Sequence, residues 1–124
     1  FHNYHGIVLG VSAGSMNAAH IVYAAPEEPG EAADPHYSRW MNGLGLTETR
    51  ILPHYQFIRD HVLDGQKVED IALADSKKRH FLALPDGSYI LCADGSEALY
   101  GRGWYFADGM MEEINEDEDV LPLR

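Results

Sequence analysis

Cysteine is nearly absent: Cys92 is the only one in 124 residues. No disulfide can form within the chain, and both a Cys-rich zinc site and a secreted disulfide framework are excluded. Basic residues are scarce as well. Nine Lys and Arg face twenty Asp and Glu, a formal net charge of −11. Such a chain repels phosphate, so neither nucleic acid nor an anionic membrane surface is an expected partner. No apolar run approaches the roughly 20 residues that a membrane-spanning helix needs. No basic segment followed by an apolar stretch marks a signal peptide, so a cytoplasmic location is the default expectation. What is present is a composition 45% hydrophobic, spread along most of the chain and sufficient for one folded domain.

Residues 6–11, Gly-Ile-Val-Leu-Gly-Val, form a continuous apolar run rich in β-branched side chains. The run predicts a buried strand. Ser12-Ala13-Gly14-Ser15 then turns the chain, and Met16 to Tyr23 predicts a helix of good formers and small residues. Residues 25–38 hold three prolines and many acids and read as a surface loop. Ile51-Leu52 is a short strand stopped by Pro53, with His54 at its end, and residues 56–64 are helix-compatible. Another element of undetermined type lies between Lys67 and Ala74.

From Arg79 the pattern changes to short strands: His80 to Leu84, Tyr89 to Ala93, and Trp104 to Ala107. Asp86-Gly87, Asp94-Gly95 and Asp108-Gly109 punctuate them as hairpin turns. An acidic stretch over residues 112–119 follows, broken by Ile114 and Asn115. The overall expectation is α/β first and antiparallel hairpins last. A lone βα unit cannot make a parallel sheet, so the chain, which starts at Phe1, is expected to lack the N-terminal half of its domain.

Gly10-Val11-Ser12-Ala13-Gly14 matches the G-x-S-x-G nucleophile elbow between a predicted strand and a predicted helix. A serine at such a turn sits in strained backbone with its hydroxyl raised above the sheet edge. Gly10 and Gly14 keep the flanks free of side chains. The helix N-terminus aims N–H groups beside Ser12, and the Ala13 N–H is the natural first oxyanion donor. The plainer alternative is a glycine-rich βα turn in which Ser12 caps the helix.

Among seven histidines, His54 stands out as a base because a strand end places it on the same sheet edge as Ser12. His20, His36, His61 and His80 read as packing or surface residues. His2 and His5 would point to opposite faces of a strand, and no Cys or carboxylate joins them at zinc spacing, so no metal is expected. No cofactor is expected either. A histidine base needs a carboxylate to hold its tautomer. Asp86, in a turn at a strand end, and Glu27 or Glu28, in the proline-rich loop, are the candidates.

Four motifs together resemble a family. Gly10-Val11-Ser12-Ala13-Gly14-Ser15-Met16-Asn17, Gly43-Leu44-Gly45-Leu46, Pro53-His54-Tyr55 and Leu84-Pro85-Asp86-Gly87-Ser88-Tyr89 look like the peptidase E group, serine peptidases that include aspartyl dipeptidase and cyanophycinase. The resemblance implies an α/β fold akin to class I glutamine amidotransferases: a three-layer α/β/α domain of which residues 1–124 would be the C-terminal portion. It also implies a Ser-His-acid triad. Ser12 would be the nucleophile, His54 the base, and Asp86 would stand where the family has a glutamate, one methylene shorter here. The family's second oxyanion donor comes from a glycine-rich turn upstream of the elbow. Aspartate recognition uses an arginine downstream of the histidine, for which Arg59 is the nearest candidate.

The sequence thus leads to a serine peptidase acting on small peptides. Its expected partner is the missing half of the domain, supplied by a second chain, or a homo-oligomer. An esterase of the α/β-hydrolase type shares the elbow, but there the acid precedes the histidine, whereas the order here is Ser12, His54, Asp86. A non-catalytic domain that keeps the elbow as a structural turn is the alternative from another class.

Overall fold

The computed structural model describes residues 6–115 and 119–123. The fold is mixed α/β, with few and short helices. Its elements in chain order are α1 (Ala13–Met16), β1 (Ile21–Tyr23), β2 (Trp40–Asn42), β3 (Ile51–Leu52), α2 (Tyr55–Ile58), β4 (Val62–Leu63), β5 (Gln66–Lys67), α3 (Val68–Asp75), β6 (Phe81–Ala83), β7 (Tyr89–Ala93), β8 (Ser96–Tyr100), β9 (Gly103–Ala107), β10 (Met110–Ile114) and β11 (Val120–Pro122). Among the described residues no helix is long and apolar enough to cross a membrane.

The sheet that positions the site has four strands in the order β10-β9-β6-β3. β3 and β6 run parallel, with Ile51 opposite Leu82 and Leu52 opposite Ala83. β9 lies antiparallel on the other side of β6, and β10 antiparallel beyond it. A second sheet, β11-β8-β7, is antiparallel throughout, and β1-β2 and β4-β5 are separate two-stranded ribbons.

β6 is buried along its whole length because its two faces serve two cores. Phe81 and Ala83 pack with Tyr23, Leu52, Tyr55, Ala72, Trp104 and Phe106. Leu82 and the following Leu84 pack with Leu99. Within the first core the Phe81 ring stacks on Phe106 at 4.9 Å and on Tyr23 at 4.4 Å. A strand gripped on both faces holds whatever its end carries, and the end of β6 carries Asp86.

Two expectations about the N-terminal segment fail. Residues 6–11 form no strand, and Ile7 and Leu9 are 92% and 85% exposed. A strand exists only where its N–H and C=O groups find a neighbour, and none of the described strands pairs with this run. Among the described residues β3 itself pairs on one side only, with β6.

The helix expected from Met16 to Tyr23 is also not formed. α1 stops after one turn, and Ile21–Tyr23 pairs antiparallel with Trp40–Asn42. The carbonyls of Asn17, Ala18 and Ala19 accept N–H groups from residues 44–47 rather than from a continuing helix. Tertiary pairing of two β-branched residues and a tyrosine here overrides helix-compatible composition. Gly43 permits the close approach, since a Cβ there would stand 2.1 Å from the Ala19 carbonyl oxygen.

The remaining elements need smaller corrections. The helix-compatible run 56–64 is a single turn, α2, followed by β4, and the element after Lys67 is helical. Asp94-Gly95 and Asp108-Gly109 close the β7–β8 and β9–β10 hairpins with both residues at positive φ, as type I′ turns require. Asp64-Gly65 does the same for β4–β5. Asp86-Gly87 does not make a hairpin: it joins β6 to β7, which belong to different sheets, and only Gly87 has positive φ.

Candidate active site

Ser12 occupies backbone that L-residues seldom adopt, with φ 54° and ψ −120°. Conformations of this kind cost of order 1–3 kcal/mol and persist where the surroundings impose them. The imposing bonds are local. Gly14 N–H donates to the Val11 carbonyl at 3.0 Å, Met16 N–H to the Ser12 carbonyl at 3.1 Å, and the Ser15 hydroxyl to the same carbonyl at 2.5 Å. Gly10 is required by the turn, because a Cβ there would lie 2.8 Å from Ser15 Cα and 2.9 Å from the Gly14 carbonyl oxygen. Gly14 differs from expectation: a Cβ at that position meets nothing within 4 Å.

These contacts give a testable contrast. Gly10→Ala must push against backbone, which yields poorly, and so displaces the turn that carries Ser12. Its expected cost is about 1–3 kcal/mol of stability and roughly 100-fold in reactivity of Ser12. Gly14→Ala is expected to leave both near wild type. Urea midpoints and the rate of Ser12 acylation by a fluorophosphonate measure the two quantities, and equal behaviour of the two variants would remove Gly10 from this role.

His54 follows β3 and Pro53 and precedes α2. Its backbone is left-handed, φ 59° and ψ 31°, a conformation uncommon outside glycine but one that histidine, like asparagine and aspartate, adopts more often than other residues. Its neighbour anchors it. Tyr55 is fully buried, its N–H donates to the Leu84 carbonyl at 3.0 Å, and its hydroxyl donates to Glu69 at 2.6 Å. Burial, reinforced by the bond to Glu69, pushes the Tyr55 phenol far above its ordinary range, so it stays a neutral donor.

Because β3 and β6 are parallel, the residues that follow them emerge at the same end of the sheet. His54 follows β3 and Asp86 follows β6. The His54 Nδ1 lies 2.5 Å from Asp86 Oδ1, and the opposite ring nitrogen, Nε2, lies 2.5 Å from Ser12 Oγ. The His54–Asp86 contact is open to solvent, the two side chains being 47% and 50% exposed. Solvent screens such a pair and limits its worth to stability. What it supplies is orientation. A carboxylate on Nδ1 keeps the proton there and leaves Nε2 to accept one from a hydroxyl.

The oxyanion side is partly built. Ala13 is the first residue of α1, so its N–H has no carbonyl within the helix to bond to. It sits directly after Ser12, where a donor for a negatively charged oxygen belongs.

The other sequence candidates lie elsewhere. Arg59 is engaged by Glu69 at 3.2 Å and stands over the rings of Tyr55 and Trp104 at 5.2 and 5.6 Å. The Glu27 and Glu28 N–H groups both donate to the Glu31 carboxylate, which organises the loop in which they sit. His20 approaches Glu48 at 3.5 Å, and His80 lies beside the Tyr105 ring at 5.9 Å. His2 and His5 fall outside the described residues. One residue went unnoticed in the sequence: Gln56, whose side-chain oxygen accepts the Asp86 N–H at 3.0 Å. An exposed glutamine in a one-turn helix carries no sequence signal of such a bond.

A serine bonded to a histidine that is bonded to an aspartate, on a strained turn at a helix start, is the constellation of a nucleophilic hydrolase. The family comparison agrees with that class. The sequence model of peptidase family S51 matches residues 3–99, and the chain belongs to this family, the peptidase E family. Its class is therefore that of a serine-peptidase hydrolase. No curated protein and no solved structure matches the chain.

Proposed function

We propose that the protein hydrolyses small peptides through a Ser12-His54-Asp86 triad and an acyl-enzyme, on a framework of the class I glutamine amidotransferase type. The observation that carries the reading is the unbroken chain of contacts from Ser12 Oγ through the His54 ring to Asp86, at 2.5 Å each. Ser12 Oγ attacks the scissile carbonyl carbon while its proton passes to His54 Nε2. The Ala13 N–H stabilises the oxyanion. Collapse of the tetrahedral adduct breaks the C–N bond, and the imidazolium returns its proton to the departing amine. Water, deprotonated by His54, then cleaves the ester and restores Ser12.

The parallel β3–β6 pair supports the same reading, since it delivers base and acid to one sheet edge. The engaged Arg59 lends no support to aspartyl selectivity, and the proposed substrates are small peptides without that restriction. The reading is tested by incubating the whole protein with a fluorophosphonate and mapping the adduct. Modification of Ser12, blocked by a competing peptide substrate, is the expected result. A protein that is folded, unlabelled and inert toward peptides would favour a structural role for the elbow.

A further inference from the structure

We propose that Gln56 is a positioning residue that sets the register between His54 and Asp86. The inference rests on the triad reading and adds to it the device that holds two of its members together. His54 and Asp86 come from different strands, separated by 32 residues, and both side chains are half exposed, so packing does not confine them. Two bonds join their backbones instead. On one side the Tyr55 N–H, next to His54, reaches the Leu84 carbonyl, two residues before Asp86. On the other the Asp86 N–H reaches back to Gln56 Oε1. The bonds run in opposite directions between residues 55–56 and 84–86, and together they form a clamp with the carboxylate–imidazole contact beside it.

The two halves of the clamp differ in how they can be altered. The Tyr55–Leu84 bond is backbone to backbone and continues the parallel pairing of β3 with β6, in which Leu84 N–H also donates to the Leu52 carbonyl at 2.9 Å. The Gln56 bond is made by a side chain and fixes the N–H of Asp86 itself. Without it the bonds that hold the turn formed by Pro85, Asp86 and Gly87 act at its flanks, the Ser88 N–H on the Pro85 carbonyl at 3.3 Å and the Ser88 hydroxyl on the Arg102 carbonyl at 2.7 Å, and leave the Asp86 N–H unheld. Aspartate is short, and a one-methylene side chain can meet His54 only if its backbone is placed correctly. Gln56 supplies that placement.

The test compares Gln56→Met, which keeps length and removes the acceptor, with Gln56→Glu, which keeps an acceptor and adds a charge. Gln56→Met is expected to lower kcat roughly 10-fold with KM little changed, as follows when a reacting group is displaced without loss of substrate contacts. Gln56→Glu is expected to recover most of kcat. Its added negative charge favours the imidazolium, so the acid limb of kcat/KM must move to higher pH. A merely structural role would lower the yield of folded protein without lowering kcat at constant KM, and Gln56→Glu would not rescue kcat. Fluorophosphonate labelling of wild-type protein, run alongside, separates the two ideas. If wild-type Ser12 fails to react, the triad reading falls and this inference with it. If wild-type Ser12 reacts and Gln56→Met matches wild type in kcat, or Gln56→Glu is as impaired as Gln56→Met, the inference alone is overturned.

Discussion

Ser12→Ala is expected to abolish peptide hydrolysis and fluorophosphonate labelling while the fold survives. The loss in kcat should be on the order of 10⁶, the scale seen when a serine nucleophile is removed from a working triad. The fold should survive because Ser12 makes few contacts with its side chain. Its hydroxyl meets His54 at an exposed position, and such a bond contributes about 1 kcal/mol. The bonds that shape the turn are backbone bonds of residues 11–17 and the Ser15 hydroxyl, all of which the alanine variant retains. Peptide turnover, probe labelling and a urea melt on the same preparation are the measurements. Turnover in the alanine variant within a few-fold of wild type would take Ser12 out of the mechanism.

Asp86→Asn should cost of order 10⁴ in kcat, and Glu27→Gln and Glu28→Gln should each cost little. An amide keeps the size of the carboxylate but can present its NH₂ to Nδ1, which selects the wrong imidazole tautomer and withdraws the charge that supports the imidazolium. Geometry separates the three acids. Asp86 Oδ1 lies 2.5 Å from His54 Nδ1, at the end of a strand buried on both faces. Glu27 and Glu28 sit in the 25–38 loop, tied to Glu31 by their backbone, and no contact joins either to His54 among the described residues. The check is kcat for the three variants side by side. Wild-type turnover in Asp86→Asn with collapse in a glutamate variant would reassign the acid.

The site was more legible in the sequence than the fold around it. Ser12 could be picked out because the elbow is a local event: five residues set the turn, and Gly10 is forced by atoms four and five positions away. His54 and Asp86 could be picked out because each follows a short apolar run ended by proline. Gln56 could not, since its partner lies 30 residues away and nothing in its neighbours distinguishes it from a surface glutamine. Arg59, the nearest arginine downstream of His54, has partners that the sequence does not announce. Its guanidinium meets Glu69 and stands over two aromatic rings, contacts made by residues of which only Tyr55 is close in the chain.

Local backbone chemistry was decided by the sequence alone. Asp94-Gly95 and Asp108-Gly109 accept positive φ at both positions and so close the β7–β8 and β9–β10 hairpins. Pro53 and Pro85 end β3 and β6 because proline offers no N–H to the ladder. Pairing was decided only in three dimensions. The same apolar, β-branched chemistry leaves residues 6–11 exposed and unpaired, yet makes Ile21–Tyr23 a strand, because a strand is stabilised by its neighbour and not by its own composition. Asp86-Gly87 is a hairpin signal that instead spans two sheets, since where a turn leads depends on where the following strand finds its partner. The convergence of Ser12, His54 and Asp86 is of this second kind. Each residue's turn is written locally, but the 2.5 Å His54–Asp86 contact exists because β3 and β6 run parallel and bring their ends to one edge, and Ser12 meets His54 at 2.5 Å across 42 residues of chain.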